Sequence, residues 1–145
     1  MSAVCQVDFY VLGNEKSAEL FACRLAMMAW EHGHRIAVLT ENANEAQQLD
    51  ELMWQHPAGR FLPHSTDFMN ESAPVSIGTA DAEIPADCEA LINLTSKAIS
   101  RPDRFKRLLE IVPASESERT ASRKKFRSYR EQGLHPASHT IGNYG

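Results

Sequence analysis

Apolar positions fall into two kinds of run that take turns along the chain. The first kind is short and nearly continuous: Val4 to Leu12 (VCQVDFYVL), Arg35 to Leu39 (RIAVL) and Ala90 to Leu94 (ALINL). β-Branched and aromatic side chains fill these runs, the pattern of strands covered on both faces. The second kind spaces its apolar residues three and four apart. Ala18, Phe21, Ala22, Leu25, Met28 and Ala29 form one such stripe between Ser17 and Glu31, and Gly33 ends it. Ala46, Leu49, Leu52 and Met53 form another, opened by Asn42 with Glu45 three residues on. Each stripe predicts a helix with one buried face and recognisable ends.

The remaining stretches are read with less pattern to guide them. Trp54 to His64 holds Trp54, Phe61, Pro57 and Pro63 and predicts a short extended piece between turns. Its aromatic residues either close the end of the core or anchor another protein, and the pattern leaves the two even. Residues 65–73 read as loop, Val75 to Ile77 as a short strand, 79–89 as an acidic connection, and Ser100 to Asp103 as a helical turn. Leu108, Leu109, Ile111 and Val112 suit a last strand, which Pro113 ends. Ser115 and Glu118 form a capping box that starts a final helix over about 115–132. The tail 135–145 has few core residues and is expected to be mobile or partner-dependent.

This β-α-β-α alternation predicts one α/β domain over 1–145, a Rossmann-like three-layer sandwich with a mostly parallel central sheet. The turn after the first strand is Leu12-Gly13-Asn14-Glu15-Lys16, with a single glycine. It matches neither G-x-G-x-x-G nor G-x-x-x-x-G-K-[ST], so the fold is expected to lack a phosphate-binding loop and to take no nucleotide cofactor.

Composition alters this picture in one respect. The chain of 145 residues carries 15 basic and 19 acidic side chains, a net charge of −4. Residues 101–131 nevertheless hold ten of the basic residues against five acids, a local net of +5, and the remainder nets −9. Such a dipole favours an anionic partner at one end. No apolar run reaches the roughly 18 residues of a membrane span and no leader pattern opens the chain, so a cytoplasmic location without membrane contact is expected. Cys5, Cys23 and Cys88 are odd in number and far apart, which predicts reduced thiols.

Catalytic and metal-binding chemistry finds little support. His32 with His34, and His135 with His139, have no cysteine pair to complete a zinc site, so no metal is expected. No serine or cysteine sits in a nucleophile motif. Asp81, Glu83, Asp87 and Glu89 lack the spacing of a calcium loop and read as solvated. No enzymatic constellation is predicted. What stands out is the final helix, where Arg119, Arg123, Arg127 and Arg130 share a stripe with Phe126, and Tyr129 borders it. Guanidinium groups around an aromatic ring suit either nucleic-acid phosphates or an acidic peptide ending in an apolar residue, and composition leaves both open.

Longer patterns carry a resemblance. The strand DFYVL (Asp8 to Leu12), the helix end Ala29-Trp30-Glu31-His32-Gly33, LDELMWQHPAGRFLPH (Leu49 to His64), IVP (Ile111 to Pro113) and RKKFRSYREQG (Arg123 to Gly133) together resemble the chi subunit family of bacterial DNA polymerase III holoenzyme. The resemblance implies a non-catalytic accessory subunit within a DNA-polymerising holoenzyme, active in DNA replication. It implies two partners: the psi subunit, which tethers chi to the clamp loader, and the acidic C-terminal tail of single-stranded DNA-binding protein. Contact with nucleic acid would be mainly indirect, and the alternative is direct single-stranded DNA binding by the basic helix. By position, the tail site would comprise Val112, Arg119, Arg123, Phe126, Arg127 and Gly133, with Tyr129 and Arg130 adjoining. The psi face would use Trp54, Pro57, Phe61, Leu62 and Pro63. The family often has tyrosine where this chain has Phe126, so a hydroxyl hydrogen bond from that position is lost.

Overall fold

The apolar runs become the middle of one sheet. A computed structural model describes residues 5–13, 17–55, 62–68 and 73–141. Its strands are β1 (Gln6–Leu12), β2 (Ile36–Leu39), β3 (His64–Ser65), β4 (Val75–Gly78), β5 (Ala90–Asn93), β6 (Arg107–Val112) and β7 (Ala137–Ile141). They lie in the order β3-β4-β2-β5-β6-β1-β7, and every recorded pairing is parallel. The helices are α1 (Ala18–Glu31), α2 (Ala43–Gln55) and α3 (Glu116–Glu131).

Strand residues alternate between two apolar layers. Ile36, Val38, Leu109 and Ile111 face α1 and α2, whereas Val7, Phe9, Leu108 and Val112 face α3. That alternation, with helices on both faces, makes the three layers. The helix starts are capped, at Asn42 and Ser115 as the sequence predicts and at Ser17 in addition. Ser17 Oγ accepts the Leu20 amide, Asn42 Oδ1 the Glu45 amide and Ser115 Oγ the Glu118 amide. Gly33 and Gly133 sit at positive φ just past α1 and α3, a conformation other residues enter only with strain. Gly78 is required for another reason: a Cβ there would fall 2.2 Å from the Phe68 ring.

Two expectations need correction and one needs an addition. The tail is ordered where it was expected to be mobile: Ala137–Ile141 pairs in register with Asp8 to Leu12, making β7 and not β6 the last strand. Its local pattern is polar because the strand is exposed, and β1 supplies the order. His139 Nε2 bonds Asp8 Oδ1 at 2.8 Å and its ring stacks on Tyr10 at 5.3 Å. Residues 142–145 lie outside the described residues. Trp54 does not begin an extended piece either; α2 continues through it to Gln55. The acidic connection is ion-paired as well as solvated: Asp81 pairs with Arg104, Asp87 with Arg35, and Glu89 with His34 and Lys106, while Glu83 and Asp87 stay exposed.

Candidate peptide-binding site

Half of the ten basic residues of 101–131 have a clear acidic partner. Arg101, Arg104, Lys106 and Arg107 each pair with a carboxylate, and Lys125 is buried against Glu110. Arg123 reaches Glu116 only at 3.9 Å, with both side chains exposed, a contact worth little. Among the described residues Arg119, Arg127 and Arg130 have no acidic partner. Lys97 and Lys124 are likewise without one, but the arginines left available line one side of α3.

That side borders two adjoining hollows. The first, about 220 Å³, is lined by Phe9 and Val11 of β1, Val112 of β6, Ser138 of β7, and Arg119, Ser122, Arg123 and Phe126 of α3. Phe126 packs on Phe9 with ring centroids 5.2 Å apart, giving the hollow an aromatic wall. Arg119 Nε is shielded from solvent yet has no hydrogen-bond partner. A buried donor left unpaired is costly, and Arg119 is one of the residues that line this hollow. The second hollow, about 580 Å³, is lined by Arg123, Phe126, Arg127, Arg130 and Glu131. Arg123 and Phe126 belong to both, so the two form one path along α3.

Six of the eight residues expected at this site line the path: Val112, Arg119, Arg123, Phe126, Arg127 and Arg130. Tyr129 does not border the face. It is fully buried, its hydroxyl donating to Glu110 Oε2 at 2.6 Å and accepting the Ile99 amide at 2.9 Å. Residue 129 lies far enough round the helix from Phe126 to point at the sheet, where a polar strand residue receives it. Gly133 lines neither hollow; it closes α3. Phe9, Val11, Ser122 and Ser138 were not anticipated. The i, i+2 pairing of Phe9 and Val11 on β1 was a usable signal, but nothing local pointed to Ser138.

On the other face of the sheet, Trp54 projects from the last turn of α2 with 59% of its surface exposed, one of two large apolar side chains so placed among the described residues. It is an exposed residue and not a plug for the core. Leu62, expected beside it, is fully buried, and Pro63 is half-buried; Leu62 packs with Leu49 and Met53 instead of facing a partner. Pro57 and Phe61 lie outside the described residues.

No group of three or more potential metal ligands occurs among the described residues. Burial pushes the Cys5 and Cys88 thiols up to about 11 and the Cys23 thiol up to about 12, so none is poised as a nucleophile. No helix among the described residues is long and apolar enough to cross a membrane.

Residues 4–137 match the family model of the DNA polymerase III chi subunit, HolC. The chain belongs to the chi family. Among its relatives, the DNA polymerase III subunit chi of Pseudomonas aeruginosa is 37% identical over 139 residues, covering 94% of this chain and 96% of the relative. The chi subunit of Escherichia coli K12 is 27% identical over 134 residues, covering 87% and 91%. Chi family membership makes the chain an accessory subunit of the replicative polymerase. Solved structures add the fold alone. T4 UvsW superposes with a TM-score of 0.65 at 7% identity, and Saccharomyces cerevisiae Dbp5 bound to RNA and ADP–beryllium fluoride with 0.63 at 11%. Each match covers 97% of this chain but 42% of the other, so the chain has the layered architecture of one part of those proteins.

Proposed function

We propose that this chain is a non-catalytic adaptor of the replisome that holds the acidic C-terminal tail of single-stranded DNA-binding protein on α3 and the psi subunit at the Trp54 face. The observation that carries the reading is the unpartnered Arg119 Nε in an apolar hollow between Val112, Phe9 and Phe126. A peptide terminus brings both missing components, a carboxylate for Arg119 and Arg123 and an apolar side chain for the hollow. Acidic residues upstream of that terminus would meet Arg127 and Arg130 in the second hollow. A nucleic-acid strand matches less well, because the part of the path between Phe9, Val112 and Phe126 is apolar where a backbone track would be charged.

Charge-assisted contacts of this kind are worth about 1.5–3 kcal/mol each. Arg119→Ala and Arg123→Ala should each weaken binding of a tail peptide by roughly tenfold or more, measured by calorimetry. Removing the peptide's last residue should weaken it comparably. Equal affinities for the altered and unaltered proteins would sink the assignment, and tight binding of naked single-stranded DNA that ignores the peptide would favour the direct nucleic-acid reading. Psi is tested separately, by pull-down with Trp54→Ala, and the replisome location in the cytoplasm follows only if both partners bind.

A further inference from the structure

We infer that His64 is a positioning residue for Trp54, holding the indole by a staple that tightens when the imidazole is protonated. The His64 side chain is fully enclosed. Its Nδ1 lies 2.6 Å from the Leu62 carbonyl oxygen, and its Nε2 lies 3.0 Å from Asp50 Oδ1 and 3.3 Å from the Asp50 carbonyl oxygen. All three neighbours are acceptors, so the geometry calls for an N–H at both ring nitrogens. The imidazolium supplies both, whereas either neutral tautomer turns one lone pair toward an oxygen.

The two ends of the staple belong to different elements. Asp50 is on α2, and Leu62 is in the segment entering β3. Trp54 follows Asp50 by one helical turn, so both present toward the same ring. The indole meets His64 edge-on, with centroids 4.9 Å apart and an interplanar angle of 61°. A charged imidazole there adds a cation–π attraction that the neutral ring lacks. One side chain thus clips the start of β3 to α2 and supports the exposed indole from beneath.

The titratable group facing the ring on α2 is Asp50, 28% exposed; on β4 the register partner is Val75, within the uncharged run Val75-Ser76-Ile77-Gly78. The stapled arrangement holds a proton, so it is favoured as pH falls and loosens as pH rises. The inference bears on the Trp54 face of the proposed adaptor, but its first measurements need no partner.

Trp30→Phe leaves Trp54 as the sole indole. Contact with an imidazolium quenches indole emission, so Trp54 emission should rise about twofold or more between about pH 5.5 and about pH 8.5. The rise should vanish in His64→Gln. Because His64→Gln disturbs a buried contact, the ring is also read directly in the unaltered chain. Imidazole nitrogen NMR shifts should report both nitrogens protonated at the low end and one deprotonated at the high end, in step with the emission. Emission that is flat with pH, a rise that persists in His64→Gln, or a ring whose protonation changes out of step would each overturn the proposal. If the emission behaves as expected and no partner binds the Trp54 face, the staple stands and the adaptor reading falls.

Discussion

Glu110 and Lys125 meet at 2.9 Å between β6 and α3, each with almost no access to solvent. Burial lifts the Glu110 carboxyl above its ordinary range, and Lys125, Tyr129 and Asn93, all within hydrogen-bond reach, pull it back. Lys125 also donates to the Thr95 carbonyl, and Tyr129 takes the Ile99 amide, so the network ties α3 to the loop after β5. Replacing one member of such a pair leaves an uncompensated buried charge, at a cost of about 3–5 kcal/mol. Lys125→Met should destabilise the fold by that amount near neutral pH, measured by urea unfolding. An acid whose folded pKa is raised contributes stability at low pH that is lost as pH rises through the folded value. The penalty of Lys125→Met should therefore be smaller at about pH 5 than at about pH 8; the same loss at both would contradict it. Tyr129→Phe should cost about 1–3 kcal/mol by leaving two buried groups underpaired. The sequence reading put Tyr129 at the surface because helical spacing locates a side chain only to within a sector. Its true neighbour, Glu110, is a glutamate inside an otherwise apolar strand, and nothing local marks it as a buried acceptor.

β7 illustrates the same limit for an element. Residues 137–140 are exposed, and Ala-Ser-His-Thr-Ile has no apolar stripe, so no local pattern predicts order there. The strand exists through its register with β1 and through His139, which shares Asp8 with Arg107. β1, α1, β2 and α2 were legible because each carries its own apolar period and its own end signals. The hollow was half legible: α3 supplies its residues in one helical stripe, while β1, β6 and β7 add theirs from positions more than a hundred residues apart in part. Burial would raise the Asp8 carboxyl, but hydrogen bonds from Arg107 and His139 outweigh it and hold the carboxyl below its ordinary value of 3.8. A depressed carboxyl contributes stability above its unfolded pKa that is lost as pH falls through the folded value. His139→Ala removes one source of the depression, so the acid-unfolding midpoint followed by circular dichroism should move to higher pH. At neutral pH the cost should be roughly 1 kcal/mol or less, since His139 is half exposed. An unmoved acid midpoint would mean that Arg107 alone sets the Asp8 carboxyl.

At the scale of the molecule, the two faces sit toward opposite edges and on opposite layers of the sheet. The Trp54 face adjoins β3 and the α3 hollow adjoins β7, and six strand spacings put the outer strands roughly 29 Å apart. Two partners can therefore bind without touching. Charge distinguishes the faces further, because the arginines left unpaired by the fold gather on α3 while the rest of the chain carries the negative excess. Within α3 the arginines differ in exposure, and salt can separate their roles. The Debye length is about 10 Å at 0.1 M salt and about 3 Å at 1 M, and exposed charges are screened far more than enclosed ones. On the proposed reading Arg127 and Arg130, exposed beside the second hollow, would act through solvent, and Arg119, with its enclosed Nε, would act at contact. Tail-peptide affinity should accordingly fall with added salt in the unaltered chain. Replacing Arg127 and Arg130 together with alanine should flatten that dependence, while costing less affinity than Arg119→Ala at about 0.3 M salt, where steering is already weak. Arg119→Ala should lower affinity at every salt concentration and leave the slope nearly unchanged. Parallel slopes for all three proteins would mean that the arginines act as one diffuse patch, and the distinction between a clamp at the terminus and a guide along the helix would fail.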